Sequence, residues 1–161
     1  TGTATPLGPA TAAVRAAFSA DGRRLVALDR DHLRLFDDRG RLLAEHALAA
    51  GAPTTFAFAA DGRRLALATA TGVAIVDALT GVAIAGPTAP DAARVALSAD
   101  GDLAAAFVGG RLVLWPSDAP QRARDLGRVL PTPAPTLALI DDALIAIGDR
   151  TVSRWSLAAP R

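Results

Sequence analysis

A repeat of about 40 residues runs through the chain. Four residues that each end a short apolar run stand 40, 39 and 40 positions apart, namely Phe36, Val76, Trp115 and Trp155. Each unit holds three or four runs of four to six residues, bounded by Gly, Asp or Pro. Runs this short predict strands rather than helices. A period near 40 with up to four strands per unit is typical of propeller blades, so the sequence predicts an all-β propeller or part-propeller.

The repeat divides the single domain into four blade equivalents, each expected to hold four antiparallel strands, A to D. The predicted blades cover residues 14–48, 54–88, 93–127 and 135–157, the last without a strand D of its own. The turn between strands A and B contains Asp-Gly in the first three units and Asp141-Asp142 in the fourth. Asp-Gly favours a tight turn because Gly, and to a lesser degree Asp, tolerates positive φ.

The chain begins and ends at the same phase of the repeat. Thr1-Gly2 matches Thr80-Gly81, which opens strand D of the second unit, so residues 1–13 are interpreted as strand D of a preceding or of the last blade. Two interpretations stay open. Either residues 3–7 complete the fourth blade and close a small ring, or the chain is an arc of a ring of roughly six to eight blades. The absence of an initiating Met favours the arc, completed by further blades in cis, by another chain, or by self-association.

Strand A carries a second pattern inside the repeat. A large apolar residue recurs at one position and Ala recurs one residue earlier: Phe18, Phe58, Leu97 and Leu139 follow Ala17, Ala57, Ala96 and Ala138. Because side chains alternate between the two faces of a strand, one face of strand A is predicted to be large and the other small. This alternation suits the crowded inner strands of a propeller.

Composition narrows the choice of partner and compartment. The formal net charge of +1 favours no class of partner, and no apolar run approaches the length needed to cross a membrane. Lys, Asn, Tyr, Cys and Met are all absent, which indicates a GC-rich genome. We therefore expect a bacterial, cytoplasmic protein that does not bind membranes.

Two segments, FSADGRRLVALDRDHLRLFDDRGRLL and FAADGRRLALATATGVAIVDALTG, resemble bacterial WD-repeat propeller units, and the likeness runs through essentially the whole chain. The Trp-Asp dipeptide of that family stands here as Phe36-Asp37, Val76-Asp77, Trp115-Pro116 and Trp155-Ser156. The resemblance implies a rigid scaffold for proteins or peptides, in bacteria often fused to signalling enzymes. It implies binding without chemistry.

The residues themselves predict no catalytic, cofactor or metal site. The chain has two His residues, His32 and His46, and neither Cys nor Lys, so a Cys-rich zinc site and a Walker-type phosphate loop are excluded. The acidic pairs Asp37-Asp38 and Asp141-Asp142 are interpreted as turn residues. Ser19 and Ser98, just before the A–B turns, are expected to bond turn backbone.

One group of residues is predicted to bind a partner. Arg15 and Arg94 occupy the same strand-A position two blades apart, and Arg30, His32 and Arg150 belong to the B–C turns that should share that rim. The planar fork of donors on Arg suits carboxylates and other anions, so we expect this rim to select acidic peptides or an anion. Scattered rim charges without a partner are the alternative.

A second set of basic residues, Arg23-Arg24 and Arg63-Arg64, follows the A–B turns and is interpreted as solvating them. Asp102 interrupts this stripe in the third unit, and aromatic residues make up only 4% of the chain. Both observations argue against nucleic-acid binding, which depends on continuous positive charge and stacking aromatics.

The function expected from the sequence is a non-enzymatic protein–protein interaction scaffold of WD-repeat type, within a larger signalling or regulatory protein or complex. One alternative is a propeller enzyme or small-ligand binder that uses the central channel. Another is a structural half-ring completed by self-association or by a partner chain.

Overall fold

The computed structural model describes residues 15–48, 53, 55–69, 71–87, 92–128, 136–140, 143–148 and 151–157. These residues form fifteen strands and one short 3-10 turn. The strands make four separate antiparallel sheets, each an up-and-down meander of consecutive strands. The prediction of an all-β chain built from repeated small sheets is therefore confirmed. No helix in this part of the chain is long and apolar enough to reach across a bilayer.

The sheets follow one another along the chain. Sheet 1 contains β1 (Arg15–Phe18), β2 (Arg24–Leu28), β3 (His32–Asp37) and β4 (Leu42–Ala47). Sheet 2 contains β5 (Thr55–Phe58), β6 (Arg64–Thr69), β7 (Gly72–Asp77) and β8 (Ala83–Ala85). Sheet 3 contains β9 (Ala92–Leu97), β10 (Leu103–Val108), β11 (Arg111–Pro116) and β12 (Arg124–Arg128), with the 3-10 turn at Pro120–Arg122. Sheet 4 contains β13 (Thr136–Ile140), β14 (Ala143–Ile147) and β15 (Val152–Ser156).

Sheet 4 has three strands among the described residues, whereas the other sheets have four. Residues 3–7, which the sequence offers as the missing outer strand, lie outside the described residues, as does the Asp141-Asp142 turn. Within the described residues, β15 is the outer strand of sheet 4.

Each sheet has two faces, set by the alternation of side chains along its strands. We call the face that packs on the next sheet along the chain the forward face, and the opposite one the back face. In sheet 1, Val26 lies opposite Leu35 and Leu28 opposite Leu33, so all four side chains share the forward face. This pairing concentrates large apolar side chains on the face that meets sheet 2.

Three apolar cores hold the sheets together, and each joins one forward face to the next back face. The first core joins sheets 1 and 2 through Val26, Leu28, Leu33, Leu35, Leu65, Leu67, Val76 and Ala78. The second joins sheets 2 and 3 through Ala66, Ala68, Val73, Ile75, Ala92, Val95, Leu97, Ala104, Ala106 and Trp115. The third joins sheets 3 and 4 through Ala96, Ala105, Phe107, Leu112, Leu114, Leu139, Leu144 and Ala146. Full burial of one such Leu, Val or Phe side chain contributes about 1.5–3 kcal/mol, so these contacts dominate stability.

The turns between the first and second strands repeat one hydrogen-bonded design. The Ser19 hydroxyl donates to Asp21 Oδ1 (2.6 Å) and accepts from the Arg24 N–H (3.0 Å). Ser98 repeats this arrangement with Asp100 (2.6 Å) and the Leu103 N–H (2.9 Å). Gly62 in the second turn has φ +64°, and a Cβ there would approach the Ser19 Cβ to 2.7 Å. The expectation that Ser19 and Ser98 bond turn backbone is confirmed.

Candidate binding rims

The two ends of the sheets form two different surfaces. One end carries the start of each first strand and the turns between the second and third strands, at residues 29–31 and 109–110. We call this end the B–C rim. The A–B rim is the opposite end, formed by the turns at residues 19–23, 59–63 and 98–102. The candidate binding residues were expected on the B–C rim.

The register of sheet 1 brings three of these residues to one end. Arg15 lies opposite Leu28, the last residue of β2, so it stands beside the turn at residues 29–31. This turn carries Arg30, and His32 begins the next strand. Arg15 and Arg30 are exposed, and 42% of the His32 side chain is accessible to solvent.

The other two candidate residues stand apart from this group. Arg94 lies opposite Phe107, next to the turn at residues 109–110, so it occupies the corresponding end of sheet 3. Sheet 2 lies between sheets 1 and 3 in the stack. Arg150 falls outside the described residues. The group that shares one sheet end is therefore Arg15, Arg30 and His32.

A buried carboxylate, Asp29, holds the turn beneath these residues. Its Oδ1 accepts from the backbone N–H groups of Asp31 (2.8 Å) and His32 (2.6 Å). Its Oδ2 accepts from Arg34 Nη1 (2.6 Å), and the Arg34 Nε in turn donates to Glu45 Oε1 (2.9 Å). The donors stabilise the ionised form, the Asp31 N–H most strongly, and they lower the pKa of Asp29 to about 2. This network lies on the back face of sheet 1 and fixes the shape of the turn.

Charge at this end of sheet 1 is divided between buried and exposed groups. The Asp29 charge is taken up by backbone donors and by Arg34, whereas Asp31 in the same turn is exposed. Among the described residues, neither Arg15 nor Arg30 has an ion-pair partner. Both side chains are exposed, so their donors are accessible to solvent or to an external acceptor.

Two of the four Arg residues on the A–B rim, Arg24 and Arg64, contact the neighbouring sheet, which the sequence-based interpretation did not include, whereas Arg23 and Arg63 are exposed. Arg64 Nη1 donates to the Gly101 carbonyl oxygen (2.9 Å) and to Asp102 Oδ1 (2.8 Å), so it ties sheet 2 to the turn of sheet 3. The Arg24 side chain also lies against the next turn, since a Cβ at Gly62 would lie 3.2 Å from the Arg24 Cδ. Asp102, which interrupts the basic stripe, is thus the partner of Arg64. These contacts link neighbouring sheets rather than forming a basic surface.

Two cavities of about 270 Å³ lie between neighbouring sheets. The first, between sheets 3 and 4, is lined by Leu103, Leu114, Trp115, Arg122, Arg124 and Leu157. The second, between sheets 1 and 2, is lined by Leu33, His46, Leu67, Thr69, Val76 and Gly81. Both are mostly apolar gaps between sheets.

Within the described ranges no group of three or more His, Asp or Glu side chains is arranged to hold a metal ion.

Comparison with known proteins defines the architecture and goes no further. No protein-family model and no curated protein sequence matches this chain. Among solved structures, the chain is similar to the crystal structure of the computationally designed Ika4 protein, with a TM-score of 0.70 over 97% of this chain and 100% of that chain. The two sequences are 16% identical. At that identity the likeness shows a shared fold alone.

Proposed function

We propose that this chain is a propeller-type scaffold of the WD-repeat kind, without catalytic activity, that binds a protein or peptide partner within a larger signalling or regulatory assembly. The propeller arrangement is supported by the sheet order, because each meander packs face to face on the next around three separate cores. Rigid sheets of this type present their loops and strand ends as fixed binding surfaces.

The observation that carries the proposal is the exposed pair Arg15 and Arg30 at one end of sheet 1, above a turn held by Asp29. A guanidinium group binds a carboxylate through two parallel N–H···O bonds, and such charge-assisted bonds are among the strongest in proteins. The fixed turn holds the backbone around Arg30 before binding, which lowers the backbone part of the entropic cost of association. The ligand class that fits is therefore an acidic peptide segment of a partner protein.

The test uses a fluorescently labelled peptide rich in Glu and measures Kd by fluorescence anisotropy. Replacing both Arg15 and Arg30 by Ala removes two charge-assisted contacts and should raise Kd by about tenfold or more, since 1.4 kcal/mol corresponds to a factor of ten. Arg23→Ala is the matched control, because Arg23 is exposed on the A–B rim, at the other end of sheet 1.

Wild-type affinity should fall as salt is added, as expected for exposed charges. The proposal fails if the double variant binds the peptide as well as the wild type, or if Arg23→Ala weakens binding equally. Inorganic sulfate that displaces the peptide completely at millimolar concentration would show that a simple anion, not a peptide, occupies the rim.

A further inference from the structure

The forward face of sheet 4 exposes apolar side chains at positions that are buried in every other sheet. Val152 opens the third strand and is 71% exposed. The residues at the same repeat position in sheets 1 to 3 are 4% exposed or less: Leu33, Val73 and Leu112. Ile147, its cross-strand partner, is 48% exposed. These two side chains have the character of core residues, but the described chain supplies no sheet to cover them.

The back face of sheet 1 also exposes an apolar side chain, on its first strand, at a repeat position that is buried in other sheets. Phe18 is 63% exposed, whereas Leu97 and Leu139 at the same repeat position are each 7% exposed. Its cross-strand neighbour Leu25 is half-buried, and Phe36 beyond it is buried. The uncovered apolar surface of sheet 1 is therefore centred on β1 and β2.

The two uncovered faces are the two halves of one kind of interface. In the stack, β9 lies against β5 and β6, and β13 lies against β9 and β10. At the junctions between sheets 2 and 3 and between sheets 3 and 4, the first strand of a sheet thus packs on the first two strands of the sheet before it. Among the described residues, no further strand follows on β13 and β14 of sheet 4, and no sheet stands before β1 of sheet 1.

Charge distinguishes the possible ways of covering these faces. Arg154 stands on the forward face of sheet 4, where the other sheets have buried Leu35, Ile75 and Leu114. The back face of sheet 1 carries Asp29, Arg34 and Glu45, which together have a formal charge of −1. Two sheet 4 faces packed on each other would bring two Arg154 cations together. Asp29 and Arg34 of this group are largely buried, whereas 41% of the Glu45 side chain is exposed. A sheet 4 face packed on a sheet 1 face brings Arg154 toward the exposed Glu45 carboxylate, which is the favourable arrangement.

We infer that a second copy of this chain covers both faces. The forward face of sheet 4 packs on the back face of sheet 1 of the second copy, and the reverse contact forms at the other end. Two such contacts related by a two-fold axis close the assembly into a ring of eight sheets and leave no apolar end face. The inference rests on the packing of the sheets and is independent of the proposed peptide site.

The test is the mass of the chain in solution, measured by light scattering after size exclusion and by native mass spectrometry. The wild-type chain should have twice the monomer mass of 16.4 kDa at tens of micromolar concentration. Phe18→Arg and Val152→Arg each put a cation into both contacts of the dimer and should convert it to monomer. Val82→Arg is the control, because Val82 is also 63% exposed but lies before β8, away from both end faces.

Mixing the two variants makes the test specific to the proposed pairing. The Val152→Arg chain keeps an intact sheet 1 face, and the Phe18→Arg chain keeps an intact sheet 4 face. An equimolar mixture should therefore form a heterodimer through one intact contact, while each variant alone stays monomeric. Far-UV circular dichroism checks folding, and Ile147→Ser provides a milder change on the sheet 4 face with the same expected direction.

Three results would each overturn the inference. The first is a monomeric wild-type chain, which means either that the ends close on each other or that the chain needs a different protein. The second is dissociation by Val82→Arg as strong as that by the end-face variants. The third is a mixture of the two variants that stays monomeric.

Discussion

Sheets 3 and 4 are built from the same repeat, yet they bury very different amounts of apolar surface. Sheet 3 is covered on both faces, and its Trp115, Phe107 and Leu112 are all buried. In sheet 4, Trp155 on the face toward sheet 3 is half-buried, and Ile147 and Val152 on the forward face are 48% and 71% exposed. The difference on the forward face shows that burial at a repeat position is decided by the neighbouring sheet more than by the strand that carries the residue.

The largest expected contrast is between the two Trp residues. Trp115→Ala should lower the free energy of unfolding by about 3–5 kcal/mol, because it leaves a large cavity in the core between sheets 2 and 3. Trp155→Ala should cost about 1–2 kcal/mol, since that side chain is only partly removed from water. Urea unfolding followed by circular dichroism measures both values.

Trp115→Phe is the useful control for this pair. The Trp115 Nε1 is buried without a hydrogen-bond partner in the described structure, so the Phe variant keeps an aromatic ring and removes an unsatisfied donor. Trp115→Phe should lower the free energy of unfolding much less than Trp115→Ala does. Equal losses for Trp115→Ala and Trp155→Ala would contradict the contrast between the two sheets.

A smaller effect is expected from the Asp29 network on sheet 1. The pKa of Asp29 in the folded chain is about 2, below the ordinary value of 3.8. A carboxyl group whose pKa is depressed by folding adds stability above the unfolded pKa and loses it as pH falls through the folded pKa. Stability contributed by Asp29 should therefore be complete above pH 5 and decline between about pH 4 and pH 2.

The measurement compares urea midpoints of the wild type and Asp29→Asn at pH 6 and at pH 2.5. The wild type should be the more stable protein at pH 6, and the gap should narrow at pH 2.5. Taking the difference between the two proteins removes the contribution of other carboxylates with lowered pKa, such as Asp77 and Asp100. If the difference between the two urea midpoints does not change with pH, the ionised form of Asp29 adds nothing to stability.

Local pattern predicted the strands and the turns well. The short apolar runs, the period and the Asp-Gly turns were enough to predict an all-β chain with repeated sheets, and Ser19 and Ser98 bond turn backbone as expected. These features depend on residues close together in sequence. For that reason a single sequence contains the information needed to predict them.

Contacts between sheets could not be predicted in the same way. Arg64 bonds to Asp102, 38 positions further on, and the sequence alone shows only two charged residues in different turns. The Asp29 network joins a turn, β3 and β4, so its partners are set by register rather than by spacing. The sequence did contain one signal for contacts between sheets: Arg24 and Arg64 occupy the same position of the repeat, and each contacts the turn of the next sheet. Phe18 is exposed and Leu97 is buried although they occupy the same position of the repeat, and nothing in the residues around them indicates this difference.

The covering of sheet 4 by a second copy can be tested with single Cys variants, because the chain contains no Cys and an introduced thiol is unique. Thiol-labelling rates are compared for Val73→Cys and Val152→Cys, which occupy the same repeat position in sheets 2 and 4. Position 73, which is buried in the core between sheets 2 and 3, should be protected at every protein concentration. Position 152 should react quickly in dilute protein and become protected as the concentration rises and a second copy covers it. If position 152 is protected at all dilutions, or is labelled rapidly at all concentrations, a second copy does not cover the forward face of sheet 4.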